Sequence, residues 1–475
     1  MFDYIDFTQT QTLQLVTMLK KMKEQNDELR FCYVFDTQQE NQDPRNPQIE
    51  CLIVQTPMMR RNYKQFSDVV FMDATYNTNQ MNLALAIVNG ISAEGKNMIL
   101  AFALMNHESA ANYTFFLKKL TEMNDGLEPK CIMTDFDASM CAAIESVYSP
   151  KTTHLLCQWH MMQNFKKHFV YLSKRKACAS KMLYNHIIDS IYTDQPKKFI
   201  ELQDLIFEQG VDMMDPSKIE YLRKLFQIKE KWASCYIPNQ FTCGMNTMAR
   251  AESMNHMVKK AMLQKYSLVN LFMEILKIEQ NVIRASRENI NGTYLDWKIN
   301  NPLMEEIRLR FSRWAFEQIF YQWQQSHPFI VQRVDDTQEQ IHQISTRREG
   351  RDVFYVNNPE DPKDKSTVAI QQVFSDEGIE HDTIKCNCRY YIQYGLYCRH
   401  ILAVMNSMQI KTTMKFETLG KRWLQSHQEQ SVPGLYTDPK KVNAENFAKQ
   451  FQLLDAQVIA DCEELGRGTT EYGGD

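Results

Sequence analysis

The chain has 475 residues, 44% hydrophobic and 24% charged, a composition typical of globular proteins that argues against a disordered or fibrous chain. Its length predicts two to four domains at roughly 100–200 residues each. The formal net charge of −4 argues against a generally basic nucleic-acid binder, so any such binding must come from a local patch. The longest apolar run, Met98–Met105, is far shorter than the roughly 18 residues of a membrane span, so we expect no membrane association.

The N-terminal residues and the cysteine content point to a reducing compartment. The first ten residues, MFDYIDFTQT, lack a basic segment followed by an apolar one, so we expect no secretory signal. Twelve cysteines are too few for a disulfide scaffold in a chain of this length. Their uneven spacing favours metal ligands in an intracellular protein.

The first segment, residues 1–66, is predicted to be a helical and β lead-in. Apolar residues recur at near-helical spacing over residues 10–23, which predicts an amphipathic helix. Strand-like runs follow at residues 31–35 and 50–55, separated by a polar turn.

Residues 67–170 are predicted to be an α/β core. Strand-like runs at 68–75, 83–88 and 97–105 have short connections and predict an antiparallel meander. The pattern then predicts a helix, a strand, a helix and a strand, at residues 110–123, 130–134, 138–147 and 153–157. Three strands followed by this alternation is the element order of a ribonuclease-H-like fold.

The remaining chain divides by pattern. The pattern of residues 161–330 predicts a helical region. We divide this region into a helical insertion at 171–248 and return helices at 249–330. Residues 331–366 are polar and predict a linker or irregular lead-in. Residues 367–410 combine short β-like segments, a cysteine cluster and a helix, and residues 455–475 form an acidic tail.

Two aspartates follow apolar strands in the predicted core. Asp73 lies in VVFMDATYNTN and Asp135 in CIMTDFDAS, on strands that the proposed topology makes neighbours. Carboxylates meeting at one sheet edge suit Mg²⁺, and such metal sites support phosphoryl transfer. Alternatively, each aspartate caps the turn or helix that follows it. Glu252, in MARAESMNHMVKK, is the candidate third acid, with pairing to a helix dipole as its alternative.

A second local pattern follows the last predicted core strand. Cys157 and His160, in CQWH, are spaced to share one face of a helix start. Two ligands do not complete a zinc site, and no residues that would complete one are evident nearby; Cys131 and His154 are guesses. The alternative is a buried cysteine and a hydrogen-bonded histidine that support the active-site wall.

The strongest metal motif lies near the C-terminal end, with the spacing C-x-C-x9-C-x-H. Three thiolates and one imidazole form a tetrahedral zinc set with no open position, which predicts structural zinc. The neighbouring cationic and aromatic side chains either contact nucleic acid or a protein partner, or pack beside the zinc. The predicted ligands are Cys386, Cys388, Cys398 and His400, and these neighbours are Arg389, Arg399, Tyr390, Tyr391 and Tyr394.

A basic stretch follows the predicted core. Residues 161–188 contain six Lys or Arg and no acid, and Arg250 lies beside the candidate third acid. Such residues neutralise DNA phosphates, although a solvated helix face is the alternative. The predicted DNA contacts are Lys166, Lys167, Lys174, Arg175, Lys176 and Arg250.

Three blocks together resemble the Mutator-like element (MULE) transposase family and its far-red-impaired-response relatives. The blocks are the run from FSDVVFMDATYNTN through TDFDAS to CQWHMMQNFKK, the short RAESMN, and the cysteine cluster, which is similar to a SWIM zinc finger. The resemblance implies a ribonuclease-H-like core with an all-helical insertion before the last acid. It also implies a DDE triad, which falls on Asp73, Asp135 and Glu252.

The first functional hypothesis is a DDE-type transposase-like enzyme that cleaves and joins DNA strands with Mg²⁺ or Mn²⁺. The alternatives are a domesticated, non-catalytic DNA-associated transcription regulator and a protein adaptor built on the zinc module. We expect DNA as the partner and the nucleus as the location, with a homodimer and a separate DNA-binding partner as further hypotheses. Family members usually carry an N-terminal DNA-binding module, and no such Cys/His set precedes Asp73 here.

Overall fold

In a computed structural model of the chain, the described residues form two β-sheets and the helices packed around them. No helix within the described part has both the length and the apolar character needed to cross a membrane. The described residues are 11–35, 48–76, 78–237, 240–245, 267–290, 300–334, 351–375, 378–408 and 420–424.

The larger sheet has seven strands in the order β1-β2-β5-β4-β3-β6-β7. Strands β3, β4 and β5 form the predicted antiparallel meander, and β6 and β7 add to it in parallel. The prediction that the first and fourth core strands are neighbours is therefore confirmed. The strands are β1 (Arg30–Phe35), β2 (Ile49–Gln55), β3 (Val69–Thr75), β4 (Ala84–Ile91), β5 (Asn97–Met105), β6 (Cys131–Thr134) and β7 (Thr153–Leu156).

Helices cover both faces of this sheet because its strands are apolar on both sides. Successive residues of β2, such as Leu52 and Ile53, point to opposite faces and enter two different hydrophobic clusters. One face packs against helices α1 and α9, and the other against α3 and α4. These helices are α1 (Gln11–Gln25), α3 (Ala110–Met123), α4 (Ala138–Val147) and α9 (Leu268–Ile290).

A short helix in the lead-in escaped the sequence prediction. Helix α2 (Pro57–Phe66) begins where the Thr56 side chain accepts a hydrogen bond from the amide of Met59, with proline in the first turn. Its buried Met59, Tyr63 and Phe66 follow helical spacing. Ten residues are too few for periodicity alone to distinguish a helix from an irregular segment.

A helical region follows the sheet and has its own core. Phe165, Phe199 and Trp232 are fully buried at its centre, where the Trp232 ring packs against both phenylalanine rings. Two further helices precede the second sheet. The helices are α5 (Gln158–Lys174), α6 (Cys178–Tyr192), α7 (Pro196–Met213), α8 (Pro216–Gln227), α10 (Pro302–Arg310) and α11 (Arg313–Gln324).

The second sheet is antiparallel, with four strands in the order β11-β10-β9-β8. It corrects the prediction that residues 331–366 are a linker, since β8 and β9 lie largely within them. In β9, the buried Phe354 and Val356 alternate with more exposed residues. This two-residue alternation is typical of a strand, although the segment is polar in composition. The elements are β8 (Ile330–Arg333), β9 (Arg351–Asn357), β10 (Lys365–Ser375), β11 (Gly378–Cys386), α12 (Tyr390–Tyr394) and α13 (Arg399–Ser407).

Candidate active site and candidate metal centre

Asp73 and Asp135 lie at equivalent positions on neighbouring parallel strands. Phe71 of β3 pairs with Met133 of β6, and each aspartate is two residues further along its chain. Parallel neighbours are about 4.8 Å apart, and alternate residues share a face, so the two carboxylates emerge on one side of the sheet. Asp73 lies inside β3, which continues to Thr75, rather than at the strand end that the sequence pattern predicted.

Helix capping does not explain Asp135. The N-cap of α4 is Asp137, whose side chain accepts a hydrogen bond from the amide of Met140 at 2.8 Å. The Oδ1 atom of Asp135 is buried and has no hydrogen-bond partner within the described part of the chain. Asp73 accepts a hydrogen bond from the adjacent amide of Ala74 at 3.0 Å. A buried, unpartnered carboxylate oxygen is costly unless a proton or a cation satisfies it.

The electrostatics of Asp135 show this cost. Burial, followed by the negative charges of Asp73 and Asp137, raises its pKa to about 6. His160, in the first turn of α5, opposes this shift with its positive charge when it is protonated. At neutral pH, Asp135 is therefore an anion in a partly desolvated and already negative environment.

Glu108 joins these carboxylates, and the sequence analysis missed it. It lies between β5 and α3, and its pKa is raised by burial and then by the charges of Asp137, Asp135 and Asp73. The side chain of Tyr76 forms a hydrogen bond with Glu108 that partly opposes this shift. Glu108 follows the apolar strand β5 closely, the same pattern that singled out the two aspartates.

Two predicted residues cannot be placed at this cluster. Glu252, the candidate third acid, and Arg250, a candidate DNA contact, lie outside the described residues. We call the described group formed by Asp73, Glu108, Asp135 and Asp137 the carboxylate cluster.

The CQWH element lies beside the carboxylate cluster, and it forms no zinc site with other residues that the structure describes. Cys157 is buried at the start of α5, and His160 is close enough to affect the pKa of Asp135. His154 is buried, with its Nε2 atom 2.9 Å from the hydroxyl of Thr134. Across the described ranges, neither these residues and Cys131 nor the members of the carboxylate cluster appear in a set of three or more closely spaced metal-ligand atoms.

The Cys/His set that the motif predicted does come together. The ligand atoms of Cys386, Cys388, Cys398 and His400 all lie within 4.8 Å of one another. The first two lie at the end of β11 and just after it, and the last two begin α13. Arg389 occupies the left-handed region at φ 64°, which lets the chain turn back between the two pairs.

The chemistry of this set fits zinc. Hydrogen bonds from Cys388 and Cys398 lower the pKa of Cys386. The hydrogen bond to Cys386 in turn raises the pKa of Cys388 to about 12. Burial raises the pKa of Cys398 well above its usual value. The Nδ1 atom of His400 is buried without a hydrogen-bond partner among the described residues. Three adjacent sulfurs and an unpartnered ring nitrogen form the donor set of a structural zinc site.

The cationic and aromatic neighbours of this set pack within the chain. Arg389 donates to the carbonyl of Cys235 at 3.3 Å, and Arg399 pairs with Asp364 at 3.1 Å. The rings of Tyr390 and Tyr394 stack with centroids 4.2 Å apart. These four side chains therefore pack beside the metal centre, and each of them remains partly exposed.

The basic stretch lies on exposed surface of α5 and the segment after it. Lys166, Lys167, Lys174 and Lys176 are exposed. Arg175 is exposed too, but its guanidinium donates to the carbonyl of Met213 at 3.0 Å. Because α5 begins at the carboxylate cluster, its exposed lysines extend roughly 20 Å away from that cluster.

Comparison with known families confirms the resemblance predicted from the sequence. Residues 69–164 match the MULE transposase domain, and residues 379–409 match the SWIM zinc finger. The first match includes Asp73, Glu108, Asp135 and His160, and the second includes all four Cys/His ligands.

The curated relatives include several proteins of Arabidopsis thaliana. Protein FAR-RED IMPAIRED RESPONSE 1 is 27% identical over 58% of this chain and 32% of its own length. Protein FAR1-RELATED SEQUENCE 5 is 21% identical over 77% of this chain and 44% of its own length. Protein FAR1-RELATED SEQUENCE 11 is 20% identical over 94% of this chain and 60% of its own length. The chain thus spans between about a third and three fifths of these relatives.

Proposed function

We propose that this chain, with its MULE transposase and SWIM zinc finger matches, is a DDE-type transposase-like protein that cleaves and transfers DNA strands with a divalent metal ion. In this proposal, the seven-stranded sheet contains a ribonuclease-H-like core. The supporting observation is the sheet order, in which the β5-β4-β3 meander is extended by parallel β6 and β7. Helices α5–α8 then correspond to the helical insertion that the resemblance implies.

The observation that carries the catalytic proposal is the convergence of Asp73 and Asp135 from adjacent strands, with an unpartnered Oδ1 on Asp135 in the described structure. Such a cluster is unfavourable alone and suits a hard divalent cation, which prefers oxygen ligands. Asp73 and Asp135 would hold Mg²⁺ or Mn²⁺, with Glu252 as the proposed third acid. When bound, the ion lowers the pKa of an attacking water or 3′-hydroxyl and offsets charge on the phosphate.

The remaining residues near the cluster have supporting roles in this proposal. His160 places a titratable positive charge beside Asp135, and Cys157 starts the helix that carries it. The exposed lysines of α5 would bind DNA phosphates along a surface that begins at the carboxylate cluster. Such contacts position a duplex without reading its sequence.

A strand-cleavage assay tests the proposal directly. The purified chain is incubated with plasmid and linear duplex DNA in Mn²⁺, Mg²⁺ or chelator. We expect metal-dependent nicking, lost in Asp73→Asn and in Asp135→Asn. Asp204→Asn is the matched control because Asp204 is an exposed carboxylate on α7, away from the cluster. Cleavage that persists in both cluster variants would refute the assignment.

A second candidate is a domesticated DNA-associated regulator without strand-cleaving activity. The similarity to proteins named for the far-red-impaired response favours it. It predicts DNA binding by the wild-type chain, with no metal-dependent nicking under any condition. Nuclear location, a homodimer and a separate DNA-binding partner remain predictions under both candidates.

A further inference from the structure

The metal centre has a neighbour that lies outside its sequence motif. Asp364 is in the connection between β9 and β10, before the segment matched by the SWIM zinc finger. Its Oδ1 atom lies 2.8 Å from Nε2 of His400, 36 residues later in the chain. This contact reaches the ring nitrogen opposite Nδ1, the buried atom without a partner among the described residues.

The contact determines which nitrogen of His400 is available to a metal ion. A neutral imidazole carries one N–H donor and one lone pair, on different nitrogens. A carboxylate accepts hydrogen bonds and cannot donate them, so Asp364 requires the proton on Nε2. The lone pair is then on Nδ1, and a ring nitrogen of His400 lies within 4.8 Å of the three sulfur atoms.

The local structure fixes Asp364 in this position. Its backbone amide donates to the carbonyl of Asp361 at 2.9 Å, and its carbonyl accepts from the amide of Asn358 at 3.1 Å. Its second carboxylate oxygen, Oδ2, accepts a hydrogen bond from Arg399 at 3.1 Å. Both oxygens therefore have defined partners, and the carboxylate has little freedom to rotate away from His400.

The His400 ring also packs against an aromatic ring. Its plane is nearly perpendicular to that of Phe329, with the ring centroids 5.0 Å apart. The His400 side chain is only 5% exposed, so water cannot readily replace the carboxylate as partner of Nε2. Orientation of His400 thus depends on Asp364 more than it would at an exposed site.

We propose that Asp364 is a positioning residue for zinc, which fixes the tautomer and orientation of His400 so that Nδ1 completes the Cys₃His set. Outer carboxylates of this kind orient zinc-bound histidines and raise their basicity. The proposal extends the metal centre from the 379–409 match to the β9–β10 connection. It does not depend on whether the carboxylate cluster is catalytic.

The test measures the Zn²⁺ affinity of the full chain by competition with a chelator of known affinity. We expect Asp364→Ala to weaken binding about 10- to 100-fold, the usual effect of removing an outer partner. Asp364→Asn should have a smaller effect because its amide oxygen can still accept from Nε2. Glu360→Gln is the matched control, since Glu360 is an exposed acid on the same connection. It should bind Zn²⁺ like the wild type.

A second background separates positioning from a general structural role. In His400→Cys, a thiolate replaces the imidazole and needs no tautomer, so adding Asp364→Ala should cost little further Zn²⁺ affinity. The loss of the Arg399 contact is the same in both backgrounds, so it cancels in the comparison. An equal loss in both backgrounds would show that Asp364 only stabilises the fold and would overturn the proposal.

Nitrogen NMR of the Zn²⁺-loaded chain gives an independent readout. The wild type should show His400 with a protonated Nε2 and a metal-bound Nδ1. Asp364→Ala should show a mixture of tautomers or a weaker Nδ1 signature. Metal-bound Nε2 in the wild type, or an unchanged spectrum in the variant, would contradict the proposal.

Discussion

Replacing Asp135 with asparagine should stabilise the folded chain at neutral pH. Asp135 has a pKa of about 6 in the folded structure, raised first by burial and then by Asp73, against a usual value of 3.8. A difference of about two pKa units corresponds to roughly 3 kcal/mol at most, at about 1.36 kcal/mol per unit. The asparagine side chain would be neutral at every pH and would not incur this cost.

The pH dependence has a definite sign. A carboxyl with a raised folded-state pKa contributes stability below its unfolded pKa, near 4, and loses this contribution as the pH rises through about 6. The wild type should therefore lose stability relative to Asp135→Asn between about pH 4 and pH 7. The advantage of the variant should reach roughly 3 kcal/mol at about pH 7 and approach zero near pH 4.

Urea unfolding between about pH 4 and pH 7.5 measures this difference, with Asp204→Asn as an exposed-carboxylate control. Saturating Mg²⁺ should stabilise the wild type at about pH 7, because the ion supplies a positive charge beside the Asp135 carboxylate. It should have little effect on the Asp135→Asn variant, which lacks that carboxylate. A variant that is less stable than the wild type near neutral pH, or a constant difference across the pH range, would refute the reasoning.

Three further predictions concern other parts of the chain. Chelation should remove one zinc per chain, as measured by elemental analysis. It should also increase hydrogen exchange in residues 367–408 while the seven-stranded sheet stays protected from exchange. Unchanged exchange would argue against a structural zinc. Changing Lys174, Arg175 and Lys176 together to alanine should weaken DNA binding equally on any sequence. It should also reduce the slope of log affinity against log salt concentration by up to roughly 0.9 per lost phosphate contact, measured by titration at several salt concentrations. An unchanged slope would place the DNA path elsewhere. Gly244→Ala should destabilise the chain more than Gly126→Ala in thermal unfolding. Both glycines have positive φ, but a Cβ at Gly244 would overlap the Tyr394 ring, whereas no described atom lies within 4 Å of a Cβ at Gly126. Equal losses of stability, each roughly 1–2 kcal/mol, would mean that backbone strain alone sets the cost.

The sequence was sufficient for features that depend on local pattern. The alternation and apolar runs of the core strands predicted β3 to β7 within a few residues, because a strand's period is set by its own backbone. The spacing of Cys386, Cys388, Cys398 and His400 was enough to assign a metal set, since ligands within 15 residues meet through one short loop. The convergence of Asp73 and Asp135 required only that their strands be neighbours.

Composition misled the prediction where pattern was weak. Residues 331–366 read as a linker because they are polar, yet β9 buries Phe354 and Val356 against the hydrophobic core. A strand needs only every second residue to be apolar, and its pairing partner supplies the remaining stabilisation. Pairing with β10, rather than composition, decides that this segment is a strand.

Only the tertiary structure decided which polar side chains face one another. It showed that Asp137, and not Asp135, caps α4, which leaves an Asp135 oxygen for another role. It brought Glu108 to the carboxylate cluster and Asp364 to His400. These contacts join residues far apart in sequence, and they depend on strand register and loop packing. Neither is encoded in the local spacing that makes a motif recognisable.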